Sequence, residues 1–447
     1  MELALKIDYR SILVVAFPLI IGNFIQSLVL ITDMAFLSHL GNLPYDAVGN
    51  GGLIYLTFFM IAVGFGDSMQ ILIARFIGKA QSTEVRQTFQ SGMMTLLGLA
   101  LLFFLILQFL VPQGLEAYAH NQEIARLQNE YLSVRSYSLF ISLTAYGLMG
   151  FLIATGRTRI VFVTSIVMSG VNIFFDYVLI FGEWGFPNLG VEGAALASMF
   201  ADFSTLIILA GYFAWSKWIK SYNLFSKISW QLSTVLQLFK VGWPLMLQGF
   251  LALGTWTIFF MWIEQIGNQE LEISQNIRVM YFLAFIPIFG FAATTKTYIS
   301  QLIGAGKTEE IPIVQRRILL LVMGTLLLFF HGGLLYPETL IGLVNPREEV
   351  IHESAFILRQ VFPAILVFAF TSVYFNTING SGNTKASLII ELICVSLYLS
   401  CAYLFIFVLN FTIDQVWYVE YIYFSTLALG SLLYLKFFNW KKTANVI

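Results

Sequence analysis

Twelve apolar stretches, each near the roughly 20 residues that an α-helix needs to cross a bilayer, limit what this 447-residue chain can fold into. They centre on Ile12–Leu37, Leu53–Ile73, Met93–Val111, Ser136–Ala154, Val161–Phe181, Val191–Trp215, Val241–Ile263, Ile277–Ile299, Ile318–Leu335, Phe356–Ile378, Leu388–Leu409 and Tyr418–Phe437. The longest connection runs from about Ser216 to Lys240, so no water-soluble domain is left to hold an active site. With 58% hydrophobic residues, 11% charged residues and a mean hydropathy of +0.80, the composition lies outside that of soluble domains. The predicted class is an all-α polytopic membrane protein of twelve transmembrane helices. A net charge of −1 supplies no basic field for nucleic acid, and none is expected as a partner.

Charge placement gives the expected orientation. With both termini cytoplasmic, only Arg126, Arg135, Arg278, Arg347 and Arg359 among the 24 Lys and Arg fall outside or at outer helix ends, and Lys296 lies within a span. Such a cytoplasmic excess of cations is the positive-inside pattern, and it predicts a multi-pass protein of the plasma (inner) membrane. The opening MELALKIDYRSILVVAF has acidic residues before its apolar run and no small-residue cleavage site after it, which argues against a removed signal peptide. Cys394 and Cys401, seven residues apart on one helix, are too far apart to bridge and read as packing residues.

A shift of 226 residues superposes Pro18–Leu19 on Pro244–Leu245, Gly41–Asn42 on Gly267–Asn268 and Gly64–Phe65 on Gly290–Phe291. The same shift carries Gly78 onto Gly304, Gly156 onto Gly382 and Tyr177 onto Tyr403. Each half then holds six spans, an even number, so the halves insert with one orientation and relate by a pseudo-two-fold axis along the membrane normal. The expected domains are an N-terminal lobe at 1–215, a cytoplasmic linker at 216–240 and a C-terminal lobe at 241–447.

Paired lobes suit alternating access, so a carrier is the leading class and a channel the second. Enzyme readings are weak. GAGKT at Gly304–Thr308 would place the first glycine of a phosphate loop at Gln301, and it follows a helix, not a strand. None of His39, His120, His331 and His352 sits in a metalloprotease motif, and neither a resident cofactor nor a metal is expected.

Ionisable residues inside a bilayer cost several kcal/mol unless paired or wet, and so mark function by default. Here they are Asp33, Asp67, Asp176, Asp202, Lys296 and Glu391, the last of which is expected to snorkel to the headgroups. By helix rise Asp33 and Asp176 both lie in the outer half of the membrane, about 30 and 22 Å along their spans. Ser198 and Asp202, at i and i+4, share a face of the sixth span. Together with Asn172, one turn before Asp176, these residues are the candidate cation-coupling site. Under the 226-residue shift Asp33, Asp176 and Asn172 meet Phe259, Ala402 and Tyr398, so the acid belongs to the first half. Pro18 removes a helix hydrogen bond and is the candidate bending point. Asp67 and Lys296, at similar depth in the second span of each half, are a candidate inner gate, against the plainer reading in which Lys296 snorkels and Asp67 finds a local partner.

The chain resembles the multidrug and toxic compound extrusion (MATE) family. The resemblance rests on FPLIIGNFIQSLVLITDMAFLSHLGN, AVGFGDSMQILIARFIGKA, ATGRTRIVFVTSIVMSGVNIFFDYVLIFGEWGFPNLGVEGAALAS, GFAATTKTYISQLIGAGKTEE and NTINGSGNTKA, which together span nearly the whole chain. It implies an antiporter that acts as a monomer and exports amphipathic, cationic or aromatic small molecules in exchange for H+, or alternatively Na+. It further implies that Asp33, Asn172 and Asp176 match the N-lobe proton site of the archaeal and DNA-damage-inducible branches, with Ser198 where that pattern has threonine. The acids of a C-lobe cation site have no counterpart in LALGTWTIFF or LVFAFTSVYFNTI. Flippases of lipid-linked sugars, with a related fold, are the runner-up.

Overall fold

The computed structural model describes residues 5–118 and 121–441. His120 and Lys442 lie outside the described residues. Long helices dominate: α1 (Tyr9–Ser38), α2 (Asn42–Gly78), α3 (Ser82–Ala117), α4 (Gln122–Arg135), α5 (Ser138–Ala154), α6 (Arg159–Phe181), α7 (Gly190–Trp215), α8 (Leu232–Glu264), α9 (Asn268–Gly304), α10 (Thr308–Phe329), α11 (Glu348–Gly380), α12 (Thr384–Val408) and α13 (Ile413–Phe437). Eleven are long and apolar enough to span alone, and α4 with α5, bent by 49° at their junction, makes a twelfth.

The repeat read from the sequence appears in helix ends. Both α2 and α9 are 37 residues long, and their bounds differ by that same shift. Gly156 and Gly382 close α5 and α11 with φ of 71° and 80°, a left-handed region that glycine enters without a Cβ penalty. After α2 the matching corner is held by Ala80 at φ 54°, where the second half has Gly306 at 72°. The halves differ at the fourth span. Its counterpart α11 is one continuous helix with Pro363 inside it, whereas the first half breaks between Arg135 and Ser138.

Two compact units form: Phe17–Met246, and Met1–Ala16 with Leu247–Ile447. The division therefore falls within α1 and α8, next to Pro18 and Pro244, and not in the 216–240 connection. Local contacts explain both ends. Tyr298 Oη and Arg317 Nη1 donate to the carbonyls of Lys6 and Ile7, tying the entry to α1 to the second unit. In the first unit Gln90 Nε2 bonds the carbonyls of Leu224 and Ser226, Gln90 Oε1 accepts from Ser229 N, and Ser91 Oγ accepts from Gln231 N. Asp8 caps α1 by accepting from the amide and hydroxyl of Ser11, which holds its carboxyl below the ordinary range.

Within the first unit α6 and α7 pack at backbone distance. A Cβ on Gly193 would lie 2.6 Å from the Leu179 carbonyl oxygen, which explains a glycine followed by alanines on that face. Gly193→Val forces the two helices apart at an overpacking cost of about 1–3 kcal/mol or more. A lowered unfolding midpoint of the purified protein in detergent checks this; an unchanged midpoint counts against the close approach.

Candidate functional site

The site grows from four spans of the first unit. Asp176 and Asn172, one turn apart on α6, are 0% and 1% exposed. Asp33, near the end of α1, is half-buried. Its carboxyl and that of Asp176 act electrostatically on each other. Asp33 Oδ1, both Asp176 oxygens and Asn172 Oδ1 are buried and accept no hydrogen bond from a protein N–H or O–H among the described residues. The hydrogen bond open to the two carboxyls is with each other, and it exists only when one carries a proton. Two carboxylates so placed cannot both stay ionised at low cost, and a shared proton removes the repulsion. Close approach of α1 to α6 is permitted at Gly22, where a Cβ would come within 2.9 Å of Ser165 Oγ.

Asp202 is placed differently. Arg135 Nη1 donates to Asp202 Oδ2 at 2.7 Å, and Ser142 Oγ donates to the same oxygen at 2.7 Å. Tyr55 Oη lies 3.2 Å from Ser142 Oγ, and its ring lies under the Arg135 guanidinium, 4.4 Å from centroid to Cζ. Tyr131 also contacts Arg135. The sequence reading set Arg135 outside or at an outer helix end; instead it is the last residue of α4, turned inward at the 49° break, with its side chain 14% exposed. Asp202 thus has a resident cation, while Arg135 also acts electrostatically on Asp33. Ser198 is half-buried, one turn from Asp202 on α7.

The remaining ionisable candidates of the spans are Asp67, Lys296 and Glu391. Asp67 Oδ1 accepts from Tyr146 Oη at 2.8 Å, and Gly66 makes room for that tyrosine ring. Lys296 is buried at 9% exposure on α9, where a Cβ on Gly380 would come within 2.8 Å of its carbonyl oxygen. Glu391 does not snorkel: it is 4% exposed and takes a hydrogen bond from Tyr423 Oη. Pro18 lies within a continuous α1. Cys394 is a buried free thiol and Cys401 a partly buried one.

A single family profile, MatE, matches residues 18–178 and again 244–404. The chain belongs to the MatE family. Both matches begin at a helix proline, and their separation is the 226-residue shift read from the sequence, so each half is one MatE repeat. The MatE chain is similar to the probable multidrug resistance protein NorM of Synechocystis sp., with 27% identity over 354 residues, 77% of this chain and 74% of that protein. Two solved structures share its fold. One is a MATE protein crystallised in a bent conformation, with a TM-score of 0.87 and 20% identity over 98% of this chain and 97% of that one. The other is a mutant of the Vibrio cholerae MATE transporter VcmN, with a TM-score of 0.88 and 19% identity over 97% of this chain and 98% of that one. MatE proteins are transporters, so this chain is a multi-pass membrane transporter and not an enzyme.

Proposed function

We propose that this MatE protein is a secondary active antiporter that exports amphipathic, cationic or aromatic small molecules in exchange for protons by alternating access. The observation that carries the reading is the Asp33–Asp176 pair, in which Asp33 Oδ1 and both oxygens of the buried Asp176 accept no hydrogen bond from a protein donor among the described residues, an arrangement suited to gaining and losing one proton. Relatives named as probable multidrug resistance proteins support export of varied compounds. Protonation removes a charge from the end of α1, about 22 Å beyond Pro18 by helix rise. The missing N–H at Pro18 lets the helix bend there at low cost, so the state of the acid pair and the shape of α1 are linked. In this reading both termini are cytoplasmic and the membrane is the plasma membrane, in keeping with the distribution of Lys and Arg.

The test uses inverted vesicles supplied from outside with a panel of fluorescent organic cations and, in parallel, lipid-linked sugars, under proton and sodium gradients imposed separately. Expected is accumulation of the cations under a proton gradient and its loss when an ionophore collapses that gradient. Transport that persists on a sodium gradient alone overturns proton coupling, and movement of the sugars alone overturns multidrug export.

A further inference from the structure

The second unit buries two carboxyls that the export reading does not use. Glu420, at the start of the apolar part of α13, is 1% exposed, and Glu391 of α12 is 4% exposed. Tyr398 Oη donates to Glu420 Oε1 at 2.9 Å, and Tyr423 Oη donates to Glu391 Oε1. The rings of Tyr398 and Tyr423 stand edge to face, 5.6 Å between centroids. Glu420, Tyr398, Tyr423 and Glu391 therefore form a file along the α12–α13 contact. Glu391 and Tyr398 are seven residues apart on α12, so the file covers about 10 Å of membrane depth.

The neighbours leave both carboxyls without a cation. Among the described residues no Lys, Arg or His is paired with either. From α9, Tyr281 is fully buried, faces Glu420 electrostatically, and has a hydroxyl with no hydrogen-bond partner. From α11, Thr371 Oγ1 bonds the Phe424 carbonyl and the Gln360 carbonyl accepts from Tyr421 Oη. On α12 itself Cys394 lies near Glu391. A buried carboxylate with one phenolic donor and no counter-charge is costly by several kcal/mol, so each acid needs a proton or a small cation. Hard cations require several oxygen ligands, more than one carboxylate and two phenols supply; a proton requires one.

The 226-residue shift sets Tyr398 at the register of Asn172, and α13, like α7, is the last helix of its half. We propose that Glu420, with Tyr398 and Tyr281, is a second proton-binding site, with the Glu391–Tyr423 pair beside it across the Tyr398–Tyr423 ring contact. The inference is independent of the reading of Asp33, because it concerns proton occupancy and not coupling.

Infrared difference spectra between acid and alkaline pH, on the full chain reconstituted in lipid, count protonated carboxyls through their carbonyl band and its downshift in deuterated water. Expected is a band with separable components: Glu420→Gln removes one, Glu391→Gln another, and Asp33→Asn or Asp176→Asn a third. Tyr398→Phe keeps the Glu420 component but moves its frequency, since it loses a hydrogen-bond donor. A Glu420→Gln spectrum superimposable on that of the unaltered protein overturns the site. Where that variant does not yield folded protein, an unmoved band in Tyr398→Phe overturns it instead. A Glu420 component that responds to sodium at constant pH also overturns it, in favour of a cation site. Loss of the Asp33 component with the Glu420 component absent rejects the second site alone; the reverse pattern rejects only the first-half reading.

Discussion

Replacing Asp33 with asparagine is expected to reduce proton-driven accumulation of fluorescent cations in inverted vesicles to the level of vesicles without the transporter, with protein yield unchanged. The amide keeps the volume and the polarity of the side chain but fixes its charge at zero, so the Asp33–Asp176 pair loses the cycle of charge on which coupling rests. Binding of the same cations to purified protein, followed by fluorescence, should weaken, because the substitution imitates the protonated pair and proton and substrate exchange for one another on the carrier. Transport by Asp33→Asn at the unaltered rate would remove Asp33 from the coupling step. Asp176→Asn is expected to have an effect of the same size, since the two carboxyls act on each other as a pair.

The largest effect on stability is expected at Arg135. Removing one partner from a fully buried ion pair leaves an uncompensated charge and costs roughly 3–5 kcal/mol, and this half-buried pair is expected to lose about 1–3 kcal/mol. Arg135→Gln strands Asp202, whose side chain is 19% exposed, and Asp202→Asn strands the guanidinium. Combining the two substitutions removes both charges at nearly constant volume and should recover most of the loss, an interaction that a double-mutant cycle on thermal midpoints measures directly. Losses that simply add would show the pair to be energetically idle. Arg135→Lys is expected to recover only part, because a compact ammonium cannot both lie flat over Tyr55 and reach Asp202.

The spans, the repeat and the acids of α1 and α6 were legible in sequence because each rests on local information: stretch length against bilayer thickness, and glycines and prolines at a fixed shift. Arg135 was not. Gln122–Arg135 carries Glu123, Arg126 and Glu130 besides Arg135 itself, too polar to register as part of a span, so the fourth span was read from Ser136 onward and its arginine became an edge residue. The structure joins the two helices through a bend, and the bend turns that edge inward. Glu391 was misjudged for a related reason: its distance from the helix end is sequence-local, but Tyr423 arrives from another helix. Glu420, inside the twelfth apolar stretch, is not among the ionisable residues that the sequence singles out, and its contact with Tyr398 joins two different helices. Hydropathy is also silent on which unit a given turn of helix belongs to, so the division into units beside Pro18 and Pro244 is not legible from span lengths.

That division has a practical meaning for recombination. A cut or a crossover in the 216–240 connection parts residues 232–246 from the unit to which they belong, and parts residues 5–16 from Tyr298 and Arg317. Fragments made this way each lack a piece that the partner fragment holds, so neither is self-sufficient and the two must trade ends to assemble. Chimeras of MatE proteins that swap halves at the obvious loop therefore inherit two mismatched helix stems, whereas junctions set beside Pro18 and Pro244 exchange whole units.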